Sequence, residues 1–155
     1  MNWLKAGDTI SGQEGRAFTT IDGNVEEAFY IKNFEAKANK EKTDVKTLGK
    51  RGTQHKANGW SGDGSMNIYY VTSLFRKLMY EYIKTGKDTY FDVMVVNEDP
   101  SSSIGKQTVV VKDVNLNSVV MAKLDTDSNV LDEDVDFTWD DIEVLDTFGK
   151  PVLGN

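Results

Sequence analysis

His55 is the single histidine of this chain, and there is no cysteine. A histidine base needs a nucleophile to activate and a third group to orient it, and the basic, glycine-containing stretch around His55 offers no nucleophile close in sequence. His55 therefore reads as a solvent or subunit-interface residue. The run Gly59-Trp60-Ser61-Gly62-Asp63-Gly64 has the glycine density of a phosphate cradle, but it leads into a strand and supplies no helix N-terminus to aim amides at an anion. Gly105-Lys106 lacks the upstream glycine of a P-loop, because Pro100 stands there. Asp125, Asp127 and Asn129 open like a calcium loop, yet Val130 replaces the turn glycine and Asp136 the closing glutamate. A polar hairpin turn fits them better. Asp132, Asp134 and Asp136 could pair for acid and base work, but they alternate with Val135, Phe137 and Trp139 as an exposed strand face does. No catalytic, cofactor-binding or metal-ligating set emerges.

Charge is the more informative chemistry. Residues 32–56 carry eight basic and three acidic side chains, whereas residues 125–146 carry ten acidic and no basic ones. One molecule thus holds both halves of a complementary contact. Placed on opposite ends of a domain, they favour head-to-tail association, which generates rings or filaments. The candidate subunit-interface residues are Lys46, Lys50, Arg51, His55, Lys56 and Trp60 on one side, and Asp132, Asp134, Asp136 and Asp140 on the other.

The elements that must carry these residues are mostly strands. Residues 16–21 and 28–38 have strand character and are joined by Asp22-Gly23-Asn24, whose types tolerate the positive φ of a tight hairpin turn. Within the second run the apolar parity changes from Phe29 and Ile31 to Phe34, Ala36 and Ala38, so a bulge is expected near Lys32-Asn33. Residues 40–64, glycine-containing and short of large apolar side chains, read as a long functional loop. Residues 66–71 form a strand, and Thr72-Ser73 then caps a helix. Its face is Leu74, Phe75, Leu78, Met79, Tyr82 and Ile83, and it stops at Gly86. Further strands span 90–97, 107–124 and 131–145. The second keeps one apolar parity throughout, and the last switches parity at Asp140-Asp141, where it bends between sheets or leaves the barrel. Residues 1–15 hold three glycines and few apolar anchors, an arm that orders on a neighbour.

At 155 residues with 39% apolar content the chain fills one domain, 1–155, a mainly β barrel or sandwich with one flanking helix. A formal charge of −7 argues against general nucleic-acid binding. Nothing resembles a signal peptide or an apolar membrane helix, which leaves no membrane anchor. Freedom from cysteine suits assembly in a reducing cytoplasm.

Several stretches together resemble the XkdM-like tail tube proteins of contractile-tailed phages, PBSX-type prophages and tail-like bacteriocins. They are residues 10–16, 49–56 and 59–73 (ending Tyr69-Tyr70-Val71-Thr72-Ser73), Asp113-Val114-Asn115, and 134–141 with Phe137-Thr138-Trp139 at their centre. The resemblance runs in order from about residue 10 to residue 148, and it implies a phage tail tube or Hcp-like fold. It further implies homohexameric rings stacked into a tube that conducts DNA or breaches an envelope, with no enzyme activity and no cofactor. The implied partners are further copies of the chain, the tail sheath, a baseplate or tail initiator, a tail terminator and a tape measure protein in the lumen. In a true phage, DNA would pass through without specific binding. The implied place is the virion tail, assembled in the host cytoplasm. Two rival readings stand beside this one. A small-molecule-binding barrel would use Trp60, Tyr69 and Phe91; a glycan-binding tail component would use Trp60 and Trp139 beside paired carboxylates.

Overall fold

The computed structural model describes residues 1–155. After a short 3-10 turn at Ala6–Asp8 come β1 (Gly15–Ile21), β2 (Asn24–Glu27), β3 (Ile31–Val45), β4 (Gln54–Tyr69), α1 (Leu74–Thr85), β5 (Phe91–Glu98), β6 (Lys106–Ser118), β7 (Asp132–Trp139) and β8 (Asp141–Asp146). The strands join in the order β2-β1-β5-β6-β7-β4-β3, with β8 also on β6, and every pair is antiparallel. This is the mainly β architecture with one flanking helix that the sequence indicates.

β6 belongs to two half-sheets. Its first part, Lys106 to Val114, pairs with β5 and β8, while Asn115 to Ser118 pairs with β7. Between the two parts Asp113 takes a positive φ of 55° and the register slips, which marks a bulge. The bulge exchanges the faces of the strand: Val109 and Val111 point to the core before it, Val114 and Leu116 after it. The expectation of one parity through 107–124 is corrected on this point, and the strand ends at Ser118. The chain crosses between halves a second time at Asp140, where β7 on one side gives way to β8 on the other, as the parity switch indicates.

The first turn forms as its residue types require. Asp22 and Gly23 have φ of 50° and 80°, and Ile21 pairs directly with Asn24. Its second strand is the short β2, however, and not residues 28–38. The Ala28 N–H closes onto the Ala17 carbonyl and the Ile31 N–H onto that of Ala28, so the chain turns again and starts β3 beside β4. The register of β3 slips between Ile31 and Asn33, the expected bulge.

Helix α1 ends at Gly86, whose φ of 76° only glycine adopts without strain and whose N–H bonds the Tyr82 carbonyl. At its start the Leu74 N–H bonds the Thr72 hydroxyl, and Ser73 makes no capping bond. Phe75 is buried, but Tyr82 and Ile83 are 52% and 59% exposed, so the apolar face covers the sheets over its first turns only. The core between the half-sheets consists of Met66, Ile68, Phe75, Phe91, Val93, Val111, Val114, Val135, Phe137 and Trp139.

The N-terminal arm is tied to its own chain. The Asp8 carboxylate accepts bonds from the Ser103 N–H (2.9 Å), the Ser103 hydroxyl (2.7 Å) and the Val152 N–H (2.9 Å), and Trp3 exchanges backbone bonds with Gly154. These bonds also hold the Asp8 pKa below the ordinary carboxylate value.

Candidate functional site

The largest departure from the sequence reading lies at 40–64, which is not a loop. β3 and β4 pair continuously from Ile31–Ile68 out to Val45–Gln54, enclosing a turn over 46–53. β7 accompanies β4 only as far as the Gly62–Trp139 pair, so the two strands continue beyond it without a third. The lack of large apolar residues there is real, and its consequence is exposure: from Asn39 to Ser61 only Val45 is even partly buried. An isolated two-stranded hairpin is marginal in water. Cross-strand bonds brace this one, His55 Nδ1 to the Asp44 carboxylate (2.9 Å) and Asn58 to the Thr43 hydroxyl (2.7 Å). Trp60 anchors its root by packing on Trp139 with ring centres 5.2 Å apart.

Lys40, Lys42, Lys46, Lys50, Arg51 and Lys56 form no ion pair within the chain. Leu48 stands fully exposed at the tip between Lys46 and Lys50.

The acidic candidates do not gather opposite this tip. Asp132, at the far end of the sheet, is paired with Lys32 (2.9 Å) and Lys123 (3.8 Å), and the hydrogen bond from Lys32 holds its pKa low. The basic and acidic stretches meet here inside one molecule, because β3 and β7 both flank β4. Asp134 and Asp136 lie mid-strand on the polar face, bonded by Asn67 (2.8 Å) and Ser118 (3.3 Å). They share that face with Glu35, Lys37, Asp63 and Ser65, cross-strand neighbours on β3 and β4. Asp140 sits at the corner between the half-sheets.

Neither rival site assembles: the small-molecule residues are dispersed, and Trp60 and Trp139 meet only by packing on each other. Phe91 is core, and Trp60 and Tyr69 are nine residues apart on one strand, a separation of roughly 30 Å. Trp139 is 4% exposed and donates its indole N–H to the Asp63 carbonyl, so no open aromatic cleft forms.

One buried ion pair lies outside the candidates that the sequence reading named. Glu133 is 2% exposed and receives the Arg76 guanidinium, which lies over the Tyr70 ring and also donates to the Thr72 and Val120 carbonyls. The signal was present in the sequence: Glu133 shares the core-facing parity of Val135, Phe137 and Trp139.

The model of the phage tail tube protein family matches residues 2–146. This chain belongs to the phage tail tube protein family. It is 47% identical over 141 residues to the Phage-like element PBSX protein XkdM of Bacillus subtilis (strain 168), covering 91% of this chain and 93% of that protein. Solved structures with the same fold include a chain of the anti-feeding prophage baseplate (TM-score 0.64, 13% identity, 85% of this chain and 92% of that one). A chain of the PVC sheath-tube complex in its extended state is similar (TM-score 0.61, 11% identity, 85% and 89% covered). The tail tube fold read from the sequence is therefore the fold observed.

In this tail tube protein the half-sheet corner carries a titrating carboxyl. Asp140 is held above the ordinary carboxylate range first by the hydrogen bond it shares with Asp113, which needs a proton on one partner, then by lost hydration and by the charges of Asp113 and Asp141. A carboxyl whose folded pKa is raised supports folding while protonated and loses that support as pH rises through the folded value. Asp140→Asn is therefore expected to raise Tm at neutral pH. The gain should shrink as pH falls through the folded pKa and vanish below the ordinary carboxylate range. Thermal unfolding across that window measures it, and a gain that grows in acid contradicts the assignment.

Proposed function

We propose that this tail tube protein acts by assembly and not by catalysis, forming homohexameric rings that stack into the hollow inner tube of a contractile phage tail or tail-like particle. One observation carries this reading: a hairpin protrudes past the core with Lys40, Lys42, Lys46, Lys50, Arg51 and Lys56 free of ion pairs within the chain. Such a strand pair is costly to hold rigid in water, and docking on a neighbouring copy offsets that cost. The conduit then needs no site chemistry, which agrees with the only histidine being an exposed hairpin residue bonded to Asp44.

The polar face bearing Glu35, Asp63, Asp134 and Asp136 suits the lumen, where carboxylates repel a passing phosphate backbone so that it slides without sticking. The sheath-tube and baseplate assemblies from which the two solved structures come support a sheath and a baseplate or initiator as partners, and a terminator would end the tube. A tape measure protein would fill the lumen before ejection. The place of action is the virion tail after assembly in the host cytoplasm.

The test is charge reversal at the tip. Lys46→Glu, Lys50→Glu and Arg51→Glu together are expected to abolish tubes in negative-stain electron microscopy and light scattering, with the circular dichroism of the subunit unchanged. Wild-type protein that forms no rings or tubes would refute the reading, and tubes of normal length from the triple variant would refute the hairpin's part in it.

A further inference from the structure

We propose that the hairpin tip of one copy docks on the 119–131 loop of the next, a surface at the other end of the same strands; this rests on the tube reading above. The register fixes the geometry. At one end of the half-sheet Ile31 pairs with Ile68, Tyr69 pairs with Asp132, and β6 stops at Ser118, so the loop joining β6 to β7 lies there. The strands run from that end past Gly62–Trp139 and on to Val45–Gln54. Fifteen residues of β4 separate Tyr69 from Gln54, a span of roughly 50 Å at the ordinary strand rise.

The two ends are complementary in kind. The tip presents Leu48 between Lys46, Lys50 and Arg51. The loop presents Leu124 and Val130, 90% and 63% exposed, beside Asp125 and Asp127, which form no ion pair. Its one base, Lys123, is turned inward onto the Asp132 backbone carbonyl and carboxylate, which leaves the outer rim of the loop acidic. Each end is an apolar knob ringed by charge of one sign, and the signs are opposite.

The acidic strand residues cannot serve as the acceptor. Asp132 is already engaged by two lysines, Asp134 and Asp136 lie mid-sheet, and Asp140 sits beside Trp139 at the end from which the hairpin leaves. A head-to-tail contact between ends about 50 Å apart along the strands can repeat in that direction, as stacking of rings requires.

The chain's lack of cysteine makes disulfide capture a clean test. Tubes of a Leu48→Cys, Leu124→Cys double variant, oxidised mildly, are expected to give a ladder of covalent multimers on non-reducing gels, whereas Leu48→Cys with Asp136→Cys gives none. Tubes in which residue 48 captures 136 and not 124, or neither, overturn the docking while leaving the tube reading intact. Wild-type protein that never forms rings or tubes overturns the tube reading, and this inference with it. Charge exchange reads the same contact without oxidation. Lys50→Glu/Arg51→Glu and Asp125→Lys/Asp127→Lys should each cut tube yield about tenfold, and their combination should restore it. A combination no better than either pair overturns the proposal.

Discussion

Replacing Glu133 by alanine is expected to lower the unfolding free energy by about 3–5 kcal/mol, because it leaves a buried guanidinium without its counter-charge. The Arg76 and Glu133 side chains are 14% and 1% exposed, so solvent does not screen the pair as it would at the surface. Arginine cannot shed its proton to escape the low-dielectric site. Its remaining contacts are the Thr72 and Val120 carbonyls and the Tyr70 ring, which solvate the charge without neutralising it. Replacing both partners with apolar residues of similar size, Arg76→Met with Glu133→Leu, removes the charge along with its partner and is expected to be nearly neutral or stabilising. Urea unfolding of the two variants against wild type decides the matter. A loss below about 1 kcal/mol for Glu133→Ala would place the pair among ordinary surface ion pairs and refute the buried role. The same variant bears on assembly, since Arg76 ties α1 to Val120 at the base of the 119–131 loop, and an untied loop is a poorer acceptor.

What the sequence made legible was whatever local pattern decides. The positive φ at Asp22 and Gly23, the αL stop at Gly86, the bulge beside Lys32 and the crossing at Asp140 are each written in residue type or parity within a few positions. The β3–β4 hairpin beyond Asn39 was not, because strand patterns are recognised by one buried face and this segment has none. Its pairing is held by backbone bonds and by the continuity of strands whose roots are buried. The bulge at Asp113 was hidden for a related reason: an unbroken valine-rich run looks like one parity until a backbone conformation exchanges its faces. Charge segregation singled out the basic residues of the hairpin, but it could not show that Lys32 and Asp132 meet across β4, since that depends on strand order. Glu133 is the converse case: it is one acid in a run of ten, and only its parity points to the core.

Phe137→Ala is expected to cost about 3–5 kcal/mol, at the upper end for a core truncation. The ring is fully buried, stacks on Phe34 with centres 5.2 Å apart, and occupies the space that Gly64 leaves open on the neighbouring strand. A side chain on Gly64 would strike that ring and the Glu35 carbonyl, so ring and glycine fit as a pair. Collapse cannot fill the void. β7 is hydrogen-bonded to β4 on one side and to β6 on the other, and Phe137 faces Gly64 and Leu116 across those ladders. Holding the backbone in this way keeps the cavity open, which is the condition under which truncations are most damaging. Folded domains have only about 5–15 kcal/mol to lose, so the loss takes a large share of the total. It falls at the root of the hairpin, two residues from the Trp139 that anchors Trp60. The expected result is therefore a lowered Tm together with tubes that form at low temperature and dissolve on mild warming. A loss under about 1.5 kcal/mol, the range of volume-conserving swaps, would mean that the half-sheets do repack, and that the hairpin does not depend on this layer for its footing.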